Sequence, residues 1–278
     1  MSARRWAVGT ALWLALCLGA ATAPRAEAVV GRMNHLSFSD AGADALFARL
    51  TAEFELPVVW PMASYGAFSS GGVYAGGVVL EIGHIGAPSP MARLLGVAFD
   101  PAVSAQASLA EMDRRGIGHS PPQPGPTAVA PQWVNVFANG IGPPRVQVFV
   151  CDYAKAIAPD FGKLDAALAA KGGGPLGVVG VREVVFEARD LKAAADAWKS
   201  LLAPVAEKGQ RLALPMGPAI RLTPGAEDRL VWVILEVRSL AAAKAYLRAH
   251  AIAFEEQGGA VSLAKSLEGL PLTLVAKR

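Results

Sequence analysis

Asn34-His35-Leu36-Ser37-Phe38-Ser39-Asp40, followed by Gly42 to Glu53, is the stretch whose reading decides the fold. Leu36 and Phe38 alternate with His35, Ser37 and Ser39, the period-two pattern of a strand with one buried face. Asp40 offers a short side-chain oxygen to the free N–H groups of a helix start. Beyond it Ala45, Leu46, Leu50 and Phe54 recur at helical spacing and predict a helix from about Gly42 to Glu53. The same order recurs three times. Leu94 to Asp100 leads into a helix from about Val103 to Arg115, stopped by Gly116 and Gly118. Val184 to Asp190 leads into Leu191 to Leu202, and Val231 to Val237 with Ser239 leads into Leu240 to His250. Asp40, Asp100, Asp190 and Ser239 are read as the four N-caps.

Further strand-like runs follow each helix. After the first come Val58 to Trp60, Tyr65 to Phe68, Val73-Tyr74 and Val78 to Ile82, with Gly71-Gly72 and Gly76-Gly77 read as hairpin turns. Trp133 to Phe137 and Arg145 to Val150 follow the second helix. Leu212 to Leu214 and Ala219 to Leu222 follow the third. Phe254-Glu255, Ala260 to Leu263 and Leu270 to Val275 follow the fourth. Four copies of a βαβββ pattern therefore fit the chain, an α+β class. Residues 29–152 hold the first two copies and residues 180–278 a more divergent pair. Residues 153–179 read as a linker, with a helical piece at Phe161 to Lys171 and the run Gly172-Gly173-Gly174-Pro175. A plain αβ domain without repeats is the alternative.

Residues 1–28 read as an export signal, which places the mature protein in the periplasm or outside the cell. Arg4 and Arg5 give a positive start, Trp6 to Ala21 an apolar stretch, and Ala26-Glu27-Ala28 an A-x-A cleavage pattern. The apolar stretch falls short of the roughly 20 residues that span a bilayer, and no later run reaches that length, so stable membrane insertion is not expected after cleavage. The full chain carries a net charge of +3; without Arg4, Arg5, Arg25 and Glu27 it keeps 23 basic and 22 acidic residues. That balance argues against nucleic acid as a partner. Cys17 leaves with the signal, so Cys151 remains without a partner for a disulfide.

The stretch from His35 to Glu81 resembles the vicinal oxygen chelate superfamily, in its glyoxalase-like branch. The resemblance is carried by Asn34 to Phe38, Trp60-Pro61, Tyr65-Gly66-Ala67-Phe68, Ser70-Gly71-Gly72-Val73 and Gly76-Gly77-Val78-Val79-Leu80-Glu81. Cys151-Asp152-Tyr153 and Gly172 to Gly177 are similar to the same branch. The resemblance implies modules paired into two curved mixed-sheet clefts. It also implies a divalent metal (Zn, Ni, Mn or Fe) held from first and last strands, with His35 and Glu81 as ligands. Such a metal would bind two neighbouring oxygens of a small organic substrate. The pattern departs from the family in the other modules: Leu95, Val185 and Ile234 stand at the His35 position, and Phe149, Val150 and Cys151 bring no carboxylate. A catalytic metal normally has three protein ligands, and His84 and His119 are the candidates for a third. Trp60, Tyr65, Phe68 and His119 are read as walls of the substrate pocket.

Other chemistries lack their signatures. Neither Gly-Gly pair precedes a helix or carries the Lys-Ser/Thr of a phosphate loop, and Gly172 to Gly174 follows a helix, so no nucleotide cofactor is expected. No G-x-S-x-G elbow occurs. Cys151 ends an apolar strand and reads as a buried small hydrophobe. Two functions stay open. One is a metal-dependent lyase, isomerase or dioxygenase acting on a vicinal-oxygen substrate. The other is a non-catalytic module that binds or sequesters a small molecule with a decayed metal site. The resemblance also makes a homodimer an expectation, because modules of this superfamily often pair between subunits.

Overall fold

A computed structural model describes residues 27–125 and 132–278. The stretch read as an export signal lies outside the described residues except for its last two. The first module runs β1 (Val30–Ser39), α1 (Ala43–Ala48), β2 (Val58–Ser64), β3 (Ser69–Tyr74) and β4 (Val79–His84). The second runs β5 (Arg93–Pro101), α2 (Ala105–Arg115), β6 (Gln123–Pro124), β7 (Trp133–Ala138) and β8 (Gln147–Tyr153). After α3 (Phe161–Ala170) come β9 (Val178–Ala188), α4 (Leu191–Leu202), β10 (Ala206–Lys208), β11 (Arg211–Ala213) and β12 (Ala219–Pro224). The last module is β13 (Arg229–Val237), α5 (Leu240–Ala249), β14 (Glu255–Gln257), β15 (Ala260–Ser262) and β16 (Leu272–Ala276).

These modules pair into two eight-stranded mixed sheets with the same strand plan. One has the order β2-β3-β4-β1-β5-β8-β7-β6 and the other β10-β11-β12-β9-β13-β16-β15-β14. In each sheet the first strands of two modules meet antiparallel at the centre, flanked by their own last strands in parallel. This is the α+β architecture of four paired βαβββ modules. Both pairs close within one chain, so neither cleft needs a second copy to complete it.

The alternation in β1 works as the pattern predicts. Leu36 and Phe38 enter the apolar core with Leu46, Leu50 and Phe54 from the helical segment behind the sheet, while His35 and Ser37 face the other way. The helix passes into a π-helical turn at Arg49–Glu53. One apolar cluster runs through both halves. At its centre the α4 residue Trp198 packs its ring 6.4 Å from Phe99 of β5 and 5.4 Å from Phe186 of β9. The two halves also touch through backbone, where Val181 donates its N–H to the Gly76 carbonyl at 2.8 Å.

Several local expectations are corrected. Tyr65 to Phe68 form the β2–β3 turn rather than a strand, with Tyr65 N–H donating to the Phe68 carbonyl. Gly71 and Gly72 lie inside β3, not in a turn. They are small because rings cross the sheet there: a Cβ on Gly71 would meet Phe47, and one on Gly72 would come within 2.5 Å of Trp60. Asp190 and Ser239 cap their helices, and Asp40 accepts from the Gly42 N–H. Asp100 does not cap α2. Strand β5 runs on to Pro101, paired with Val30, and Ser104 accepts from Ala107 instead. Strand β9 begins at Val178, inside the stretch read as a linker.

Candidate functional site

The cleft of the first sheet is built on a continuous cross-strand row. Trp60, Gly72, Glu81, Ser37, Gly96 and Gln147 stand side by side across β2, β3, β4, β1, β5 and β8. Residues at such paired positions share a face, so His35 and Glu81, two steps of register apart on β1 and β4, point into the same space. The cavity above them measures about 710 Å³, within the range of small-molecule sites. Its walls are largely aromatic. Trp60, Tyr65 and Phe68 come from the first module and Trp133, Phe137 and Phe149 from the second.

His35 is held in one orientation. Asn34 is a bulge residue: Met33 pairs with Phe99 and His35 with Ala98, leaving Asn34 unpaired between them. The bulge brings the Asn34 side chain beside the imidazole. The Asn34 amide nitrogen donates to Asp100 Oδ1 at 2.6 Å, which turns its oxygen towards His35 Nδ1 at 2.9 Å. Nδ1 therefore carries the proton, and Nε2 presents its lone pair towards Glu81 Oε2, 3.5 Å away. That distance is too long for a hydrogen bond. Burial pushes the imidazole below its ordinary pKa, against the opposite pull of the Glu81 carboxylate. Glu81 is itself fixed by two hydroxyls, Ser37 Oγ donating to Oε2 at 2.5 Å and Ser70 Oγ to Oε1 at 2.8 Å.

Bulges in the other first strands show which residues correspond. Leu95 in β5, Arg182 in β9 and Val231 in β13 are each unpaired in the central ladder, as Asn34 is in β1. Aligned on these bulges and on the flanking registers, His35 and Glu81 correspond to Gly96 and Phe149 in the second module. They correspond to Glu183 and Arg221 in the third, and to Trp232 and Thr273 in the fourth. Leu95, Val185 and Ile234 are thus not the equivalents of His35, because the distance from strand to helix cap differs between modules: Asp40 follows His35 by five residues, but Asp190 follows Glu183 by seven and α2 is capped at Ser104. The Phe149 ring covers Gly96, where a Cβ would lie 2.9 Å from it.

The second cleft has a different chemistry. Arg221 Nε donates to Glu183 at 2.7 Å and Arg211 Nε at 3.2 Å, with Arg182 bridging towards Glu236. Burial would raise the Glu183 carboxyl, but the Arg221 hydrogen bond and the charges of Arg221, Arg182 and Arg211 hold it below the ordinary carboxylate range.

The expected third ligands are elsewhere. His84 is exposed and pairs with Asp44 at 3.1 Å. His119 lies outside the cleft lining, its ring fixed between Asp113 at 3.0 Å and the Ser120 carbonyl at 2.9 Å. The loop after α2 returns beside β7, bridging to Ala138 on the side where β6 forms the edge, and so carries His119 away from the floor. Cys151 does line the cleft, but burial pushes its thiol well above the ordinary range, which suppresses the reactive thiolate. Among the described residues no three His, Cys, Asp or Glu side chains converge. The donor set stops at two, with a phenyl ring where the second module would supply more, and does not fit a catalytic metal centre of three protein ligands.

Sequence reading missed Ser37, Ser70, the Asn34–Asp100 brace, and Asn135, whose buried Oδ1 faces no partner among the described residues. Strict alternation along Trp133-Val134-Asn135-Val136-Phe137 and along Phe149-Val150-Cys151-Asp152-Tyr153 was the available signal for the second module's wall.

No described protein family and no curated protein matches the sequence. Solved structures match in fold. The 2,3-dioxygenase LapB from Pseudomonas sp. KL28 aligns with a TM-score of 0.56 at 9% identity, over 90% of this chain and 94% of its own. Homoprotocatechuate 2,3-dioxygenase from Arthrobacter globiformis gives 0.58 at 12%, over 91% and 82%. The Mn(II)-bound glyoxalase from Novosphingobium aromaticivorans gives 0.56 at 15%, over 89% and 82%. The chain has the fold of the vicinal oxygen chelate superfamily.

Proposed function

We propose that this protein binds a small organic molecule in its N-terminal cleft without turning it over, with His35 and Glu81 as hydrogen-bonding groups in the floor. The observation that carries this reading is the Phe149 ring over Gly96. The half of the floor that would complete a metal's ligand set is an apolar wall, while the cavity, the oriented histidine and the braced carboxylate are kept.

A second reading, a metal-dependent lyase, isomerase or dioxygenase on a vicinal-oxygen substrate, draws support from one feature. The His35 Nε2 lone pair faces a carboxylate across 3.5 Å, two donors a divalent ion could share, and the folds it resembles belong to dioxygenases and a Mn(II)-bound glyoxalase. Elemental analysis decides between them, on mature protein purified without tag or chelator beside His35→Ala and Glu81→Ala. Far less than one ion per chain is expected. About one ion, lost in both variants, would instead establish the second reading.

The site is proposed to work in the bacterial envelope. Val29, the first residue after the A-x-A pattern, is already buried, and its carbonyl accepts from Ser108 Oγ at 2.6 Å. A cut after Ala28 would leave the whole of β1 with the mature chain. Cell fractionation with N-terminal sequencing tests this; a full-length cytoplasmic chain would refute it.

A further inference from the structure

We infer that the cleft's ligand is an organic cation, a protonated amine on an apolar body, held by its N–H groups at the inner end of the cavity. The inference rests on the binding reading above and names its ligand class. The inner end is a collection of acceptors. Glu81 accepts from Ser37 and Ser70, and a carboxylate offers about four lone-pair sites, so it can take further donors. His35 Nδ1 is committed to Asn34, leaving the Nε2 lone pair. Asn135 Oδ1 is buried and without a partner among the described residues. Leaving such a buried acceptor without a donor is unfavourable, and a donating ligand removes that cost.

The Tyr153 hydroxyl, 3.3 Å from His35 Nδ1, is a neutral donor in the same lining and brings no charge to it. The hydroxyl hydrogens of Ser37 and Ser70 are spent on Glu81. An alkylammonium carries three donors and no acceptor, a match in number and sign to Glu81, His35 Nε2 and Asn135. The aromatic wall suits the same group. Trp60 and Phe149 both contact the imidazole edge-on, with ring centroids 6.4 and 5.7 Å away, and aromatic faces attract a desolvated cation. The cation among the described lining residues is Arg145. It is exposed, outside strand β8, whereas Glu81 is mostly buried among the hydroxyls of Ser37 and Ser70.

Calorimetric titration of the mature protein with 2-phenylethylamine, 2-phenylethanol and phenylacetate tests the inference. These probes share a body and differ in the sign and donor number of one end. The amine is expected to bind at least about tenfold more tightly than the alcohol, with phenylacetate weakest. Glu81→Gln should abolish the amine's advantage while the alcohol still binds. Asn135→Leu, which keeps the shape and removes the acceptor, should reduce it as well and stands in if the Glu81 variant does not fold. Equal affinities, or tighter binding of phenylacetate, would overturn the cationic class and leave the cleft a binding site. No heat from any probe at millimolar concentration would overturn the binding reading together with this one.

Discussion

Gly96 stands where His35 stands in its own module, and the Phe149 ring takes the space that a side chain there would fill. That correspondence can be tested by restoring donors. Gly96→His combined with Phe149→Glu should bind about one Zn²⁺ or Ni²⁺ per chain, because four donors would then face one point. Elemental analysis after dialysis against the metal reads this. Gly96→His alone should lower the melting temperature, since its Cβ meets the ring at 2.9 Å. If the double variant fails to bind while folded, the alignment through the bulges is wrong. At this scale the sequence was informative where a motif was local. His35, Glu81, Trp60, Tyr65 and Phe68 all line the cavity. It was silent on Ser70 and Asn135, whose roles depend on strand neighbours, and misleading on His119, whose loop runs along the edge of the sheet.

Strands and helices were legible as types and less so in their phase. Leu36 and Phe38 against His35 and Ser37 declare which face is buried, but an inserted residue reverses that parity without changing composition. The run from strand to cap also varies in length: Asp190 follows Glu183 by seven residues where Asp40 follows His35 by five, which moves the functional position of the third module from Val185 back to Glu183. The resulting ion pair has a pH signature. The folded-state pKa of Glu183 is depressed, so its contribution is complete above the unfolded value near 4.3 and is lost as pH falls through the lower, folded value. Glu183→Gln should destabilise the protein by about 1–3 kcal/mol at pH 7. The gap in melting temperature from the wild type should close as pH falls below about 4.3. A gap independent of pH would mean that packing, not the ion pair, carries the effect.

The two sheets share one core, a property that no module declares alone. Trp198 lies in the third module yet packs on Phe99 of the second. The interface also demands an absence of side chain at Gly76, whose φ of 82° and whose Cβ position, 2.3 Å from the Gly180 Cα, leave no room for one. Trp198→Ala should cost about 3–5 kcal/mol and split a single calorimetric unfolding transition into two. Gly76→Ala should lower stability without altering either cleft. Retention of one sharp transition in the Trp198 variant would show that the halves are coupled by other contacts. The repeat of βαβββ units was readable along the chain because each is a local pattern. The joining of the halves was not, since Trp198 and Gly76 look from sequence like any helix aromatic and any turn glycine.

The salt-bridged floor of the second cleft bears on how this chain has diverged from its own internal copy. Glu183 and Arg221 answer to each other, so a change at one asks for a change at the other, whereas His35 and Glu81 face an open cavity. Across descendants of this gene, positions 183 and 221 would drift as a pair, and 35 and 81 would hold still.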